Sequence, residues 1–116
     1  MSREKGERAE RAAEAFLRSR GMLILARNFR TRFGEIDLVA QDGQTVVFVE
    51  VRSRSSDAFG SPQETVTVSK RRRIIRSAQV YALSRQLDAP LRFDVVALSP
   101  KGMLHIPAAF DATGAA

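Results

Sequence analysis

The chain has no cysteine, a single histidine and no apolar run long enough for a signal-peptide core or a membrane span. The first absence excludes disulfides, cysteine-ligated zinc and thiol chemistry, and it is ordinary for a reducing compartment. One histidine, His105, cannot make a histidine metal pair and reads as structural. Lacking an apolar span, the protein is expected to be soluble and cytoplasmic. Repeats and low-complexity segments are missing too. At 116 residues the chain should build one small domain with one core over residues 1–110, followed by a disordered tail over 111–116.

Positive charge is abundant. The formal net charge is +6, and arginine, which forks bidentately onto phosphate, carries almost all of it. Nucleic acid is therefore the first partner to consider, although ribosome-associated and membrane-surface proteins share this balance.

Hydrophobic spacing divides the chain. From Arg3 to Arg20 the period is helical, with Ala9, Ala12, Ala13, Phe16 and Leu17 as the apolar stripe and Gly21 as the C-cap. Met22–Ala26 has strand length, and polar Arg27–Arg32 follows. Gly34–Ala40 and Val46–Arg52 flank an Asp42-Gly43 hairpin signal. Ser53 to Thr65 reads as an irregular loop. A second helix is expected from Ser69 to Gln86, capped by Thr67 or Ser69, with Ile74, Ile75, Ala78, Tyr81 and Ala82 inward. Leu91–Leu98 and Met103–Ile106 are further strands, so the fold class is α/β with a mixed central sheet.

The hairpin carries the chemistry. With Asp42-Gly43 as a two-residue loop, Val39 pairs with Val46, Asp37 with Phe48 and Glu35 with Glu50. Ile36, Leu38, Val47, Val49 and Val51 then share an apolar face, and Glu35, Asp37, Glu50 and Arg52 share the other. One face is expected to be core and the other a site. Three acids so close repel unless a cation joins them. Hard oxygen ligands point to Mg²⁺ or Mn²⁺ rather than zinc. A solvated hairpin face whose acids pair with arginines is the alternative.

Two helical residues sit at the edges of their buried stripes. Glu10 lies beside the line of Leu17 on the first helix, whereas Glu14 has Arg18 four residues on and belongs to the solvated face. Lys70 holds the matching edge of the second helix, where an ammonium reaches a phosphate or a nucleophilic water. A solvent-facing lysine is its bland alternative.

Asp37 followed by Glu50-Val51-Arg52 at the end of the next strand resembles the PD-(D/E)xK nuclease signature. With Glu10, Ala13, Phe16-Leu17, Gly21, Asn28, Arg30, Gly34-Glu35-Ile36-Asp37-Leu38, Phe48 to Arg52, Phe59-Gly60, Pro62, Lys70, Ala78, Tyr81 and Arg92 to Val96, the chain resembles the YraN-like bacterial family of uncharacterised endonuclease-like proteins. The likeness runs from about Gly6 to Val96. That family is similar in fold to archaeal Holliday junction resolvases, and the resemblance implies a restriction-endonuclease-like core with metal-dependent cleavage of DNA. It makes Asp37 and Glu50 metal ligands, Glu10 an outer acid reaching the metal through water, and Lys70 an accessory base or phosphate contact. Arg52 departs from the signature, which has lysine there. Arginine keeps its proton, so Arg52 cannot be a general base, but it can stabilise charge developing on a phosphate. Arg30, Arg32, Arg54, Arg71, Arg72 and Arg73 are expected to grip backbone phosphates. The expected function is a Mg²⁺- or Mn²⁺-dependent DNA endonuclease acting on branched or other structured DNA, whose arms a homodimer would span. The alternatives are a nucleic-acid-binding module of the same fold with weak or no catalysis, and a small assembly factor.

Overall fold

The computed structural model describes residues 3–54 and 66–115. The loop expected over Ser53–Thr65, with Phe59, Gly60 and Pro62, lies almost wholly outside the described residues.

Helix α1 spans Arg3–Ser19. Its apolar stripe ends where Gly21 adopts φ +89°. There the Gly21 N–H donates to Arg18 O and the Met22 N–H to Leu17 O, at 3.0 and 3.1 Å. This is the crossed pair of bonds that closes a helix on glycine, and buried Met22 beside Leu17 supplies its apolar contact. Strand β1 (Leu23–Thr31) extends past Ala26 into the polar stretch, followed by β2 (Gly34–Asp42) and β3 (Thr45–Ser53). Helix α2 runs Val68–Ser84, with the Thr67 hydroxyl accepting from Lys70 N–H at its start. Strands β4 (Leu91–Ser99) and β5 (Gly102–Phe110) complete a five-stranded sheet in the order β1-β2-β3-β4-β5. Among the described strands only β3 and β4 are parallel, joined through α2 as parallel neighbours require. The architecture is α/β with a mixed sheet. No helix among the described residues is long and apolar enough to cross a membrane.

The central strand explains why both faces of the sheet are covered. Val46 to Val51 is buried residue after residue, the continuous pattern of a strand packed on two sides. Val47, Val49 and Val51 join Leu38, Ala40, Ala9, Ala13 and Leu17 under α1. Val46 and Phe48 join Ile74, Ile75, Ala78 and Tyr81 under α2. Each fully buried Val or Leu stabilises by about 1.5–3 kcal/mol relative to exposure. The expectation of one core face and one open polar face is therefore corrected. The site sits at an end of the sheet, not on a face.

The hairpin register is corrected as well. Asp42 pairs with Thr45, so Gly43-Gln44 forms the loop, and Val39 pairs with Phe48 instead of Val46. Gly43 takes φ +61° in the first loop position, where a primed hairpin turn favours glycine. Ile36, expected on the Leu38 face, packs with Phe48 under α2. Alternation breaks at this level, where neighbouring Asn28 in β1 has φ +49°. The tail expected to be disordered forms a turn over 111–115, with the Asp111 N–H donating to Ala115 O and the Gly114 N–H to Asp111 O, both at 2.9 Å.

Candidate functional site

The β2–β3 ladder stops at Leu38 and Val49. Continued by one step, it would set Asp37 against Glu50. Instead the Asp37 carboxylate takes the next free donor, accepting the Val51 N–H at Oδ2 over 2.8 Å. The strands part there and a cleft of about 280 Å³ opens. Gly6 and Glu10 of α1 line it on one side and Lys70 of α2 on the other, with Asp37, Glu50, Val51, Arg52 and Ser53 as its floor. The corrected register thus makes Asp37 and Glu50 successors at the same step of the ladder, where the expected one made them diagonal neighbours.

Glu50 is 5% exposed, and its Oε1 lies 3.1 Å from Lys70 Nζ. Asp37 lies beside it under electrostatic strain. Loss of water first, then the neighbouring Glu50 charge, push its carboxyl up to about 8, against the pull of the Val51 N–H and the Lys70 charge. Glu10 is also raised above the usual carboxylate range, chiefly by desolvation. The Asn28 amide, donating to Oε1 over 2.9 Å, opposes this, while the charges of Asp37, Glu35 and Glu7 add to it. Glu14, in contrast, is lowered first by its hydrogen bond from Arg27. It also pairs with Arg18 at 3.1 Å, as its helical spacing implies.

The donor set suits a hard divalent cation. Two carboxylates share the cleft floor, where burial and the Glu50 charge disfavour the charged form of Asp37 and a cation would favour it. Mg²⁺ commonly binds through one or two carboxylates and keeps several waters. Among the described residues no three Asp, Glu, His or Cys side chains group closely enough to ligate one ion. Glu10 stands in the cleft wall, where the Asn28 amide donates to it.

A second cleft of about 220 Å³ lies on the other side of Asp37 and Lys70, lined also by Gly34, Glu35, Arg73 and Ile74. Glu35 faces Arg30 there, at 3.8 Å. Of the arginines expected on phosphates, Arg30 and Arg32 are exposed on β1 and the turn after it, Arg72 is exposed on α2, and Arg73 lines this second cleft. Arg54 follows the end of β3, where its N–H donates to Leu98 O at 2.8 Å. Arg71 is diverted: its Nη1 donates to Gly114 O at 3.0 Å, and its guanidinium stands 5.9 Å from the Phe110 ring. It braces the C-terminal turn instead of the cleft.

His105 has the structural place expected of it. Its Nε2 lies 2.7 Å from Oδ2 of fully buried Asp94. Arg92 donates to both oxygens of that carboxylate and to Asp42. Sequence reasoning assigned no role to Asn28; a polar residue opposite an acid in a paired strand was the signal available.

Acids at the parted ends of two strands, under helices from both sides, define an α/β protein with an acidic cleft. The model of the uncharacterised protein family UPF0102 matches residues 9–98, and the chain belongs to that family. It is similar to a UPF0102 protein of Persephonella marina, with 45% identity over 92% of this chain and 93% of that one. A UPF0102 protein of Anaeromyxobacter dehalogenans is 50% identical over 94% of this chain and 85% of its own. Another, of Nitrosospira multiformis, is 50% identical over 84% and 82%. Among solved structures, the crystal structure of SSO0001 aligns with 93% of this chain and 53% of its own at 16% identity and a TM-score of 0.44.

Proposed function

We propose that the cleft hydrolyses a phosphodiester of DNA with the help of a hard divalent cation. The observation that carries this reading is half-buried Asp37 beside buried Glu50 and Lys70 at the floor of an open cleft. Asp37 and Glu50 are the residues that would hold the ion. When bound, a Mg²⁺- or Mn²⁺-class ion polarises a phosphoryl oxygen and lowers the pKa of a water. Lys70 offers an ammonium to orient that water or contact the phosphate. Arg52, on the cleft lining, stabilises charge on the phosphate but accepts no proton. Glu10 acts from the wall, outside the ligand pair.

Arg73 on the second cleft, with exposed Arg30 and Arg32 on β1 and the turn after it, would track the DNA backbone, which makes binding salt-dependent. Arg73→Ala is expected to lower the slope of log affinity against log salt by about 1, whereas Arg71→Ala, already committed to Gly114, should leave it unchanged. Equal slopes for the two variants would show that this surface does not carry the DNA.

A second reading keeps the binding and drops the turnover. Arg52 favours it, because it stands where the nuclease signature has a lysine. One experiment decides: branched, flapped and linear DNA at low salt, with Mg²⁺, Mn²⁺ or chelator, against wild type and an Asp37→Ala, Glu50→Ala double variant. Cleavage that needs metal and falls more than about 10³-fold in the variant is expected, since one electrostatic group alone is commonly worth 10²–10³. Binding by both proteins without cleavage leaves the binding module. Failure of both to bind overturns both readings and favours a small assembly factor whose acids pair with its arginines.

A further inference from the structure

Phe33 is the one phenylalanine among the described residues that joins neither core cluster; Phe16, Phe29, Phe48, Phe93 and Phe110 all do. It sits in the two-residue turn between β1 and β2, partly exposed. The Arg32 guanidinium lies 4.8 Å from its ring centre and that of Arg76 5.4 Å. Among the described residues, neither arginine has a carboxylate within ion-pair distance. A ring placed at a turn tip between two such cations gains little from burial and presents an aromatic, positively charged surface.

The turn is also held rigid. The Phe33 N–H donates to Thr31 Oγ1 at 3.0 Å, and that oxygen lies 2.8 Å from Oγ of Ser77, which is fully buried on α2. A buried serine is otherwise an odd choice on the inner face of a helix, and its use is to clamp this turn. Rigid placement lowers the ordering cost of binding. Gly34, the next residue, lines the second cleft with Asp37 and Lys70. At about 3.3 Å per strand residue, Phe33 lies roughly 13 Å along β2 from Asp37.

We propose that Phe33, flanked by Arg32 and Arg76, is a stacking platform for an unpaired base of the DNA whose backbone lies in the acidic cleft. This assignment rests on the nuclease reading above and narrows its substrate to DNA with a single-stranded element a few nucleotides from the scissile bond. Every base has a π-face, so the platform reads unpairedness and not sequence. Base–aromatic stacking contributes about 1–3 kcal/mol, and flanking arginines add cation–π attraction.

The test uses the full chain in chelator, so that nothing is cut, with flapped DNA carrying 2-aminopurine in the flap and a fully paired duplex of equal length. Wild type should quench the fluorophore and prefer the flap. Phe33→Ala should weaken flap binding by about 5- to 150-fold, the stacking energy converted to affinity, abolish the quench and leave duplex affinity unchanged. Phe33→Leu, which keeps apolar bulk in the turn, should behave like Phe33→Ala, and Phe33→Trp should retain the quench. Equal losses on flap and duplex, or an unchanged quench in Phe33→Leu, overturn the platform while leaving DNA binding intact. Failure of wild type to bind either DNA overturns the platform together with the nuclease reading.

Discussion

Asp94→Ala is expected to lower the free energy of unfolding by about 3 kcal/mol, toward the lower end of what breaking a buried ion pair costs. Asp94 is fully buried in β4, and its two oxygens serve four donors. Arg92 Nε and Nη2 approach at 2.9 and 3.0 Å, His105 Nε2 at 2.7 Å and the Ala108 N–H at 3.0 Å. The alanine leaves a guanidinium and an imidazole facing an empty apolar space, with only Asp42 still accepting from Arg92. Arg92 keeps 24% exposure, and water reaching it trims the loss. Urea unfolding checks the figure: the midpoint should fall with the slope unchanged. A loss under about 1 kcal/mol would show that the network is not a structural brace. DNA binding by the folded fraction should survive, since this carboxylate is satisfied within the fold and lines neither acidic cleft.

The same contrast between structural and cleft residues governs what the sequence could disclose. Helical stripes and β-branched runs specify α1, α2 and the mixed sheet, because burial follows the period of each element. The acid pair was also legible: Asp37 and Glu50 interrupt runs that otherwise want burial. Register was not. It turned on whether Gly43 takes the first or second loop position, and both placements suit an Asp-Gly hairpin. The unbroken run Val46 to Val51 did carry the information that β3 is covered on both faces. Alternation within the hairpin masked it. Adjacent arginines look equivalent in a sequence, yet successive helical residues point about 100° apart, which sends Arg71 to the C-terminal turn and Arg73 to the cleft. Phe33 resembles any aromatic in a polar stretch until the Ser77 clamp is seen from the opposite element.

Asp37→Asn is expected to make the protein more stable than wild type at pH 8 and above in metal-free buffer, by up to several kcal/mol. The Asp37 carboxyl is raised from 3.8 to about 8 in the fold, by desolvation first and by Glu50 second. Between those values the folded chain keeps a proton that the unfolded chain has released. Folding is then progressively disfavoured as pH rises from about 4 to about 8, by at most ~1.4 kcal/mol per pH unit. Asparagine carries no charge to desolvate, and its oxygen can still accept the Val51 N–H that Asp37 accepts at 2.8 Å. Thermal melts from pH 5 to pH 9 in chelator should show the wild-type midpoint falling with pH and the variant holding a flatter line, the two nearly coinciding at the acid end. A cation that replaces the proton must restore stability, so Mn²⁺ should raise the wild-type midpoint more at pH 8 than at pH 6 and move the variant little. A variant less stable than wild type at pH 8, or a flat wild-type profile, would mean that the Asp37–Glu50 pair stores no repulsion for a ligand to relieve. A cleft that gains stability by losing its own carboxylate is one whose charge is kept for something other than the fold.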